Sequence, residues 1–206
     1  MSEAATVHII ETQAEMRASL LMMVETASLA ARAYESARRF LEEADLLSPG
    51  CCVLNLGLAD MWGMDNLKQL HAHGCDIPVV IISEHGDVET AVDGMKLGAV
   101  DVVQKPVEPR KLIEAVRRAL KSSIELYHRR AQTADIRRRI ETLTQRELDL
   151  LKRVVSGRSN KQIAASMGIS IKTVANHRAN LMAKTQAINA ADLARMSIIA
   201  GVRLEE

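Results

Sequence analysis

The sequence predicts an α/β fold for its first half, a five-stranded doubly wound parallel sheet, joined by a helical linker to an all-α domain of four helices. Three observations carry this prediction. Short apolar runs alternate with longer segments of helical period as far as residue 120. No glycine and no further proline occurs between Pro109 and Leu143. Residues 144–206 are punctuated by helix-capping signals and contain no strand-like run. An apolar content of 48% supports real cores, and 2% aromatics make those cores aliphatic.

The strands are read at Val7–Ile10, Cys51–Leu56, Ile77–Ile82 and Ala99–Val103. Helical segments follow them at residues 13–26, 64–73, 87–97 and from 109 onward. Runs that are apolar throughout, separated by helices, indicate strands buried on both faces of a parallel sheet. Residues 28–34, SLAARAY, read as helix from their alanines. The need for a strand between two helices makes them the fifth.

Beyond Pro109 the apolar residues Ile113, Val116, Leu120, Ile124, Tyr127, Ala131 and Ala134 recur three or four apart, as on one helical face. Two readings stand: a helix on the sheet plus a charged, solvated linker over 121–142, or one long helix pairing with a second copy as a short coiled coil. The domain boundaries read as 1–120, 121–142 and 143–206.

The helical region is well delimited. Thr144-Gln-Arg-Glu147 is a capping box, with Leu143 and Leu148 placed as a hydrophobic staple. That helix stops at Gly157, a suitable residue just past a helix end. Ser159-Asn-Lys-Gln162 opens a second helix, ended by Gly168. Ser170 caps a third, from Ile171 to about Lys184, and Asn189 a fourth, ended by Gly201. Helix, sharp glycine turn, helix is helix-turn-helix geometry. Val174, Leu181 and Met182 are the buried positions of the second helix of that pair, and Lys172, Asn176, His177 and Arg178 lie between them.

A net charge of +1 conceals an asymmetry: residues 1–120 sum to −7, residues 121–143 to +3 and residues 144–206 to +5. An acidic front and a basic back imply different partners, the back one polyanionic. No apolar run approaches a membrane span, and MSEAATVHII lacks signal-peptide character. Cys51, Cys52 and Cys75 are too few and too unevenly placed for a disulfide framework or a four-ligand zinc site. A reducing, cytoplasmic location is expected, with no cofactor. Adjacent Cys51 and Cys52 read as small strand residues or as a redox switch.

The segment SGRSNKQIAASMGISIKTVANHRANLMAK resembles the LuxR-type helix-turn-helix, and HGDVETAVDGMKLGAVDVVQKPV resembles a response-regulator receiver. Together they resemble two-domain regulators of the FixJ/NarL type over nearly the whole chain, the front half a CheY-like receiver. The resemblance implies a phosphoryl acceptor at the end of the third strand, an acidic pair after the first that holds Mg²⁺, and a hydroxyl and a lysine that contact the phosphoryl oxygens. Residue by residue, the acidic pair falls on Glu11 and Thr12, the acceptor on Asn55, the hydroxyl on Ser83 and the lysine on Lys105. The aromatic switch position is Val102, and the family's loop proline is Ala59. Lys105-Pro106 is retained, implying a cis bond.

Asn55 has no carboxylate nucleophile, so an acyl phosphate cannot form there. Magnesium wants hard oxygen ligands, usually one or two carboxylates. Glu11 is the one carboxylate read in this pocket, and against Lys105 the charge sums to zero, so no metal is expected. An amide keeps shape and hydrogen bonding while removing reactivity and repulsion. The receiver is then either a decayed scaffold for dimerisation, or a domain that Asn55 and Val102 hold in one output state or open to another input.

In the back half, a recognition helix meets base edges with its first turns while its neighbours hold phosphates. The outward positions are Lys172, Thr173, Ala175, Asn176, Arg178 and Ala179. Asn176 suits bidentate pairing with adenine, and the alanines suit methyl contact with thymine. Lys172, Arg178 and Lys161 suit phosphates, with Asn160 at the preceding helix start. His177 reads equally as a contact or as a packing residue. The resemblance implies pairing of two copies through the last helix on an inverted repeat. Its Leu193, Met196, Ile198 and Ile199 are candidates for that surface or for closing a four-helix core, and both roles are compatible. Leu120, Ile124 and Tyr127 are the linker's candidates.

The reading that follows is a dimeric, sequence-specific regulator of transcription, not an enzyme, acting independently of aspartyl phosphorylation. RNA polymerase and a sensor kinase are further candidate partners, and no membrane is expected. The alternative is a signalling antagonist that binds a kinase or another regulator through its degenerate receiver.

Overall fold

The computed structural model describes residues 5–56, 65, 67–70, 72–84 and 88–202. The chain divides into two compact units, residues 1–127 and 128–206. In the first, β1 (Thr6–Ile10), β2 (Ala30–Tyr34), β3 (Gly50–Asn55), β4 (Val79–Ser83) and β5 (Ala99–Gln104) form one sheet in the order β2-β1-β3-β4-β5. Every neighbouring pair is parallel. Helices α1 (Ala14–Thr26), α2 (Ala37–Glu43) and α3 (Val88–Lys96) connect the strands, and residues 65, 67–70 and 72 are also helical.

Two apolar layers explain why the strands are apolar throughout. Val7, Ile9, Cys51, Val53, Val80 and Ile82 face one layer, against Leu20 and Val24 of α1. Ile10, Cys52, Leu54, Val79 and Ile81 face the other, against Phe40, Leu67 and Leu70. The SLAARAY segment is an edge strand, paired with β1 from Thr6↔Ala30 to Ile10↔Tyr34. Ladder hydrogen bonds and the half-buried face override the helical preference of its alanines. Gly50 sits where β3 passes β1 so closely that a Cβ would lie 2.7 Å from the Thr6 carbonyl oxygen. Cys51 and Cys52 are fully buried and unpaired. Burial pushes the Cys51 thiol up to about 12 and raises that of Cys52 well above the usual range. They pack as small strand residues.

Helix α4 runs unbroken from Pro109 to Glu141. In the first unit it buries Leu112, Ala115, Val116, Ala119 and Leu120. The expected continuous stripe holds only in part. Ala131 and Ala134 are exposed, and the residues that enter the second core are Ile136 and Ile140. Packing in each unit selects its own face of the helix.

The second unit comprises α5 (Gln145–Val155), α6 (Asn160–Met167), α7 (Ile171–Thr185) and α8 (Ala190–Ile199) around a core that includes Leu150, Leu151, Ile163, Val174, Leu181, Leu193 and Met196. Thr144 with Glu147 and Ser159 with Gln162 form both reciprocal bonds of a capping box. Ser170 and Asn189 cap α7 and α8 by accepting from Thr173 and Asp192 backbone N–H groups. Gly168, at φ 67°, makes the turn from α6 to α7 in the left-handed region that glycine tolerates. Among the described residues no helix is long and apolar enough to cross a membrane.

Candidate functional sites

In a parallel sheet all strand C-termini share one edge, where open α/β folds place their chemistry. Two hydrogen-bonded clusters occupy that edge. Glu11, immediately after β1, is buried. Its Oε1 accepts from the Gln13 backbone N–H at 2.8 Å and from Thr12 Oγ1 at 3.3 Å. Its Oε2 accepts from the side-chain amide of Asn55, the last residue of β3. Arg17 of α1 donates to the Glu11 and Thr12 carbonyls at 2.8 and 3.0 Å, tying down the turn that holds them. Asn55 Oδ1 is buried without a hydrogen-bond partner among the described residues.

The second cluster lies at the ends of β4 and β5. Ser83 is fully buried, and its carbonyl accepts the Lys105 backbone N–H at 2.8 Å. The Lys105-Pro106 bond is cis, as the family resemblance implies. Lys105 Nζ donates to Glu84 Oε1 at 3.2 Å. This corrects the pairing read from the sequence: among the described residues the ammonium faces Glu84, not Glu11, and the cation beside Glu11 is the Arg17 guanidinium, bonded to its carbonyl. Sequence reasoning misses Glu84, although an acid directly after a strand, on the edge where the strand C-termini gather, is the available signal. Arg17, one turn into the following helix, is missed likewise.

The family's magnesium does not fit these residues. Glu84 is neutralised by Lys105. The Asn55 amide points its N–H at the Glu11 oxygen that a cation would need, placing a donor where only acceptors serve. Among the described residues no three metal-binding side chains gather. Val102, half-buried, packs against the second apolar layer beside Ile81, its register partner. Ala59 lies outside the described residues.

On α7, Lys172, Ala175, Asn176 and Ala179 are exposed, while Thr173 and Arg178 are half-buried. Thr173 Oγ1 bonds Ser170 Oγ at 2.8 Å within the cap. Arg178 Nη1 donates to Asn160 Oδ1 at 2.9 Å, joining two of the expected DNA-contacting residues into one pair across the turn. Lys161 is exposed beside it.

Of the two roles read for the last helix, Leu193 and Met196 take the core-closing one. Leu193 and Met196 are 0% and 2% exposed inside their own domain's core, so neither is available to a second copy. Leu120 is buried in the first unit, and Ile124, Tyr127 and Ile199 are half-buried. The apolar side chain that α8 leaves open is Ile198, at 75% exposed, with Ile188 just before the helix at 84%.

Sheet order and the capped helix pair together define a receiver-type α/β domain followed by a helix-turn-helix. The family model for the response regulator receiver domain matches residues 7–117, and that for the luxR family of bacterial regulatory proteins matches residues 141–197. The chain belongs to the response regulator family, as a two-component transcription regulator with a LuxR-type DNA-binding domain rather than an enzyme. It is similar to the transcriptional regulatory protein FixJ of Azorhizobium caulinodans, with 38% identity covering 98% of this chain and 96% of that protein. FixJ of Rhizobium meliloti is 39% identical over 95% of this chain and 96% of its own. Among solved structures, the response regulator StyR superposes with a TM-score of 0.84 at 31% identity, covering 95% of this chain and 98% of that one. Full-length FixJ from B. japonicum gives 0.55 at 33% identity, over 98% of this chain and all of the other.

Proposed function

We propose that this regulator works without aspartyl phosphorylation, its receiver serving as a pseudo-receiver fixed in one arrangement. The observation that carries the reading is the Asn55 amide bonded to Glu11. It supplies neither a nucleophile for an acyl phosphate nor a free acidic ligand for the metal that such chemistry uses. The Glu84–Lys105 pair supports it further, because the cation that would meet a phosphoryl group already has an anionic partner. Val102 in place of an aromatic removes the ring whose movement would report a phosphorylated state.

In this reading α7 enters the major groove. Asn176 reads a base, Ala175 and Ala179 offer methyl contacts, and Thr173 stays with the cap. Lys172, Lys161 and the Arg178–Asn160 pair hold phosphates. The protein acts as a homodimer on an inverted repeat, with Ile198 and Ile188 as its open apolar residues. Incubating the full chain with a small acyl-phosphate donor and Mg²⁺, followed by intact mass measurement, tests the first claim. The expected result is unchanged mass; a stoichiometric phosphoryl adduct on any aspartate refutes it.

A further inference from the structure

We propose that the groove between α5 and α7, walled by Arg146, Arg153 and His177, is a second phosphate-contacting wall for duplex DNA, on the flank of α7 opposite Arg178 and Asn160. The inference rests on the DNA-binding reading above and extends it to residues that the recognition motif does not include.

The geometry of α7 sets the two flanks. Each residue turns about 100° around a helix of 3.6 residues per turn. Val174, Leu181 and Thr185 are buried, so Lys172, Asn176 and Ala179 point away from the core. Arg178 falls on one flank, where it bonds Asn160 of α6. His177 and Lys184 fall on the other, toward α5, where Lys184 Nζ pairs with Glu147 at 2.8 Å. His177, half-buried, lines a groove of about 240 Å³ together with Arg146, Asp149, Arg153, Met167 and Ile169.

The two arginines of that groove differ in how the fold holds them. Arg146 sits in the first turn of α5, exposed, and makes no hydrogen bond or ion pair among the described residues. A helix N-terminus carries partial positive charge and favours carboxylates, so an unpaired guanidinium there gains nothing from its own helix. Arg153 is held instead: Nη1 donates to the Asp149 carbonyl at 2.9 Å and Nε to Ser166 Oγ at 3.1 Å. A guanidinium has five N–H donors, so a fixed arginine with most of them unspent is oriented for an anion. The groove's one carboxylate, Asp149, already accepts from Gln145 Nε2 at 3.2 Å. Two guanidiniums against one carboxylate leave the groove positive.

Duplex geometry identifies the anion. The major groove is about 12 Å wide, and a helix with its side chains is about 10–12 Å across. A helix seated there is therefore bracketed by a phosphate strand on each flank. Arg178, Asn160 and Lys161 serve one strand, and Arg146 and Arg153 stand where the other would run.

The test compares wild-type full chain with Arg146→Ala and Arg146→Lys on a duplex selected by the wild type from a random-sequence library, and on an unselected duplex. Log–log salt slopes should fall by about 0.9 in Arg146→Ala on both duplexes, one phosphate contact's worth of counterion release. The affinity gap to wild type should narrow about 3.5-fold between roughly 50 and 200 mM salt. Arg146→Lys, which keeps the charge, should restore the slope, whereas Asn176→Ala should weaken only the selected duplex. An Arg146→Ala slope equal to wild type, with the melting curve unchanged, overturns this inference alone. Failure of the wild type to bind any duplex overturns the DNA-binding reading and this inference with it.

Discussion

Replacing Asn55 by aspartate would set a second carboxylate against the buried Glu11 oxygen that now receives an amide N–H. At an effective dielectric constant near 20 and a separation of about 4 Å, two unit charges repel by about 4 kcal/mol. A second route bounds the same quantity. The pair can escape repulsion by sharing one proton, and holding a proton at about pH 7 on a carboxyl of ordinary value near 3.9 costs about 4 kcal/mol. The two figures coincide, so Asn55→Asp should lose about 4 kcal/mol of stability at neutral pH in the absence of divalent cations. The sign with pH follows from proton counting. The variant's folded state holds one more proton than its unfolded state, so the deficit shrinks by about 1.4 kcal/mol per unit as pH is lowered. Millimolar Mg²⁺ should also recover stability in the variant, because two carboxylates now face a cation, and should do nothing for wild type. Urea denaturation followed by fluorescence suits the measurement. Trp62, the sole tryptophan, falls in the sequence between β3 and β4. An Asn55→Asp protein as stable as wild type at neutral pH without magnesium would refute the contact on which the pseudo-receiver reading depends.

Other perturbations test the frame around these sites. Thr144→Ala removes the side-chain half of the α5 capping box, leaving the backbone N–H of residue 144 on Glu147, and should cost about 1 kcal/mol in urea denaturation of the second unit. Glu147 is held down to about 2, first by the hydrogen bond from Lys184 and then by the Thr144 backbone. Its depressed folded value means that the stability it supplies is present above the ordinary carboxylate range and is lost as pH falls toward 2, so wild type and Glu147→Gln should converge in acid-melting curves. The three cysteines are buried with raised thiols, so a thiol reagent should label them only at the rate of unfolding; rapid labelling of the folded chain would contradict this. Gly50→Ala puts a methyl 2.7 Å from the Thr6 carbonyl oxygen and should destabilise the first unit by about 1–3 kcal/mol, measured by thermal melting.

What the sequence determined by itself is everything governed by neighbours along the chain. The continuous apolar runs announced strands buried on both faces. Ser/Thr…Glu/Gln pairs three residues apart announced helix starts, and glycines marked their ends, because caps satisfy N–H and C=O groups within one turn. The amide at Asn55, where the family resemblance implies the acceptor, was equally legible, since that reading needs only a motif along the chain. Tertiary structure decided what depends on partners distant in sequence. Alanine-rich Ala30–Tyr34 became a strand because β1 offered it a ladder. Lys105 took Glu84 rather than Glu11 because adjacent parallel strands bring their ends side by side. Leu193 and Met196 went to their own core and left Ile198 outside, since three-dimensional packing chooses which side of an amphipathic helix is covered. Local rules are written in spacing, but pairing and burial are properties of the folded chain, and so the amide was visible beforehand while the contact that gives it meaning was not.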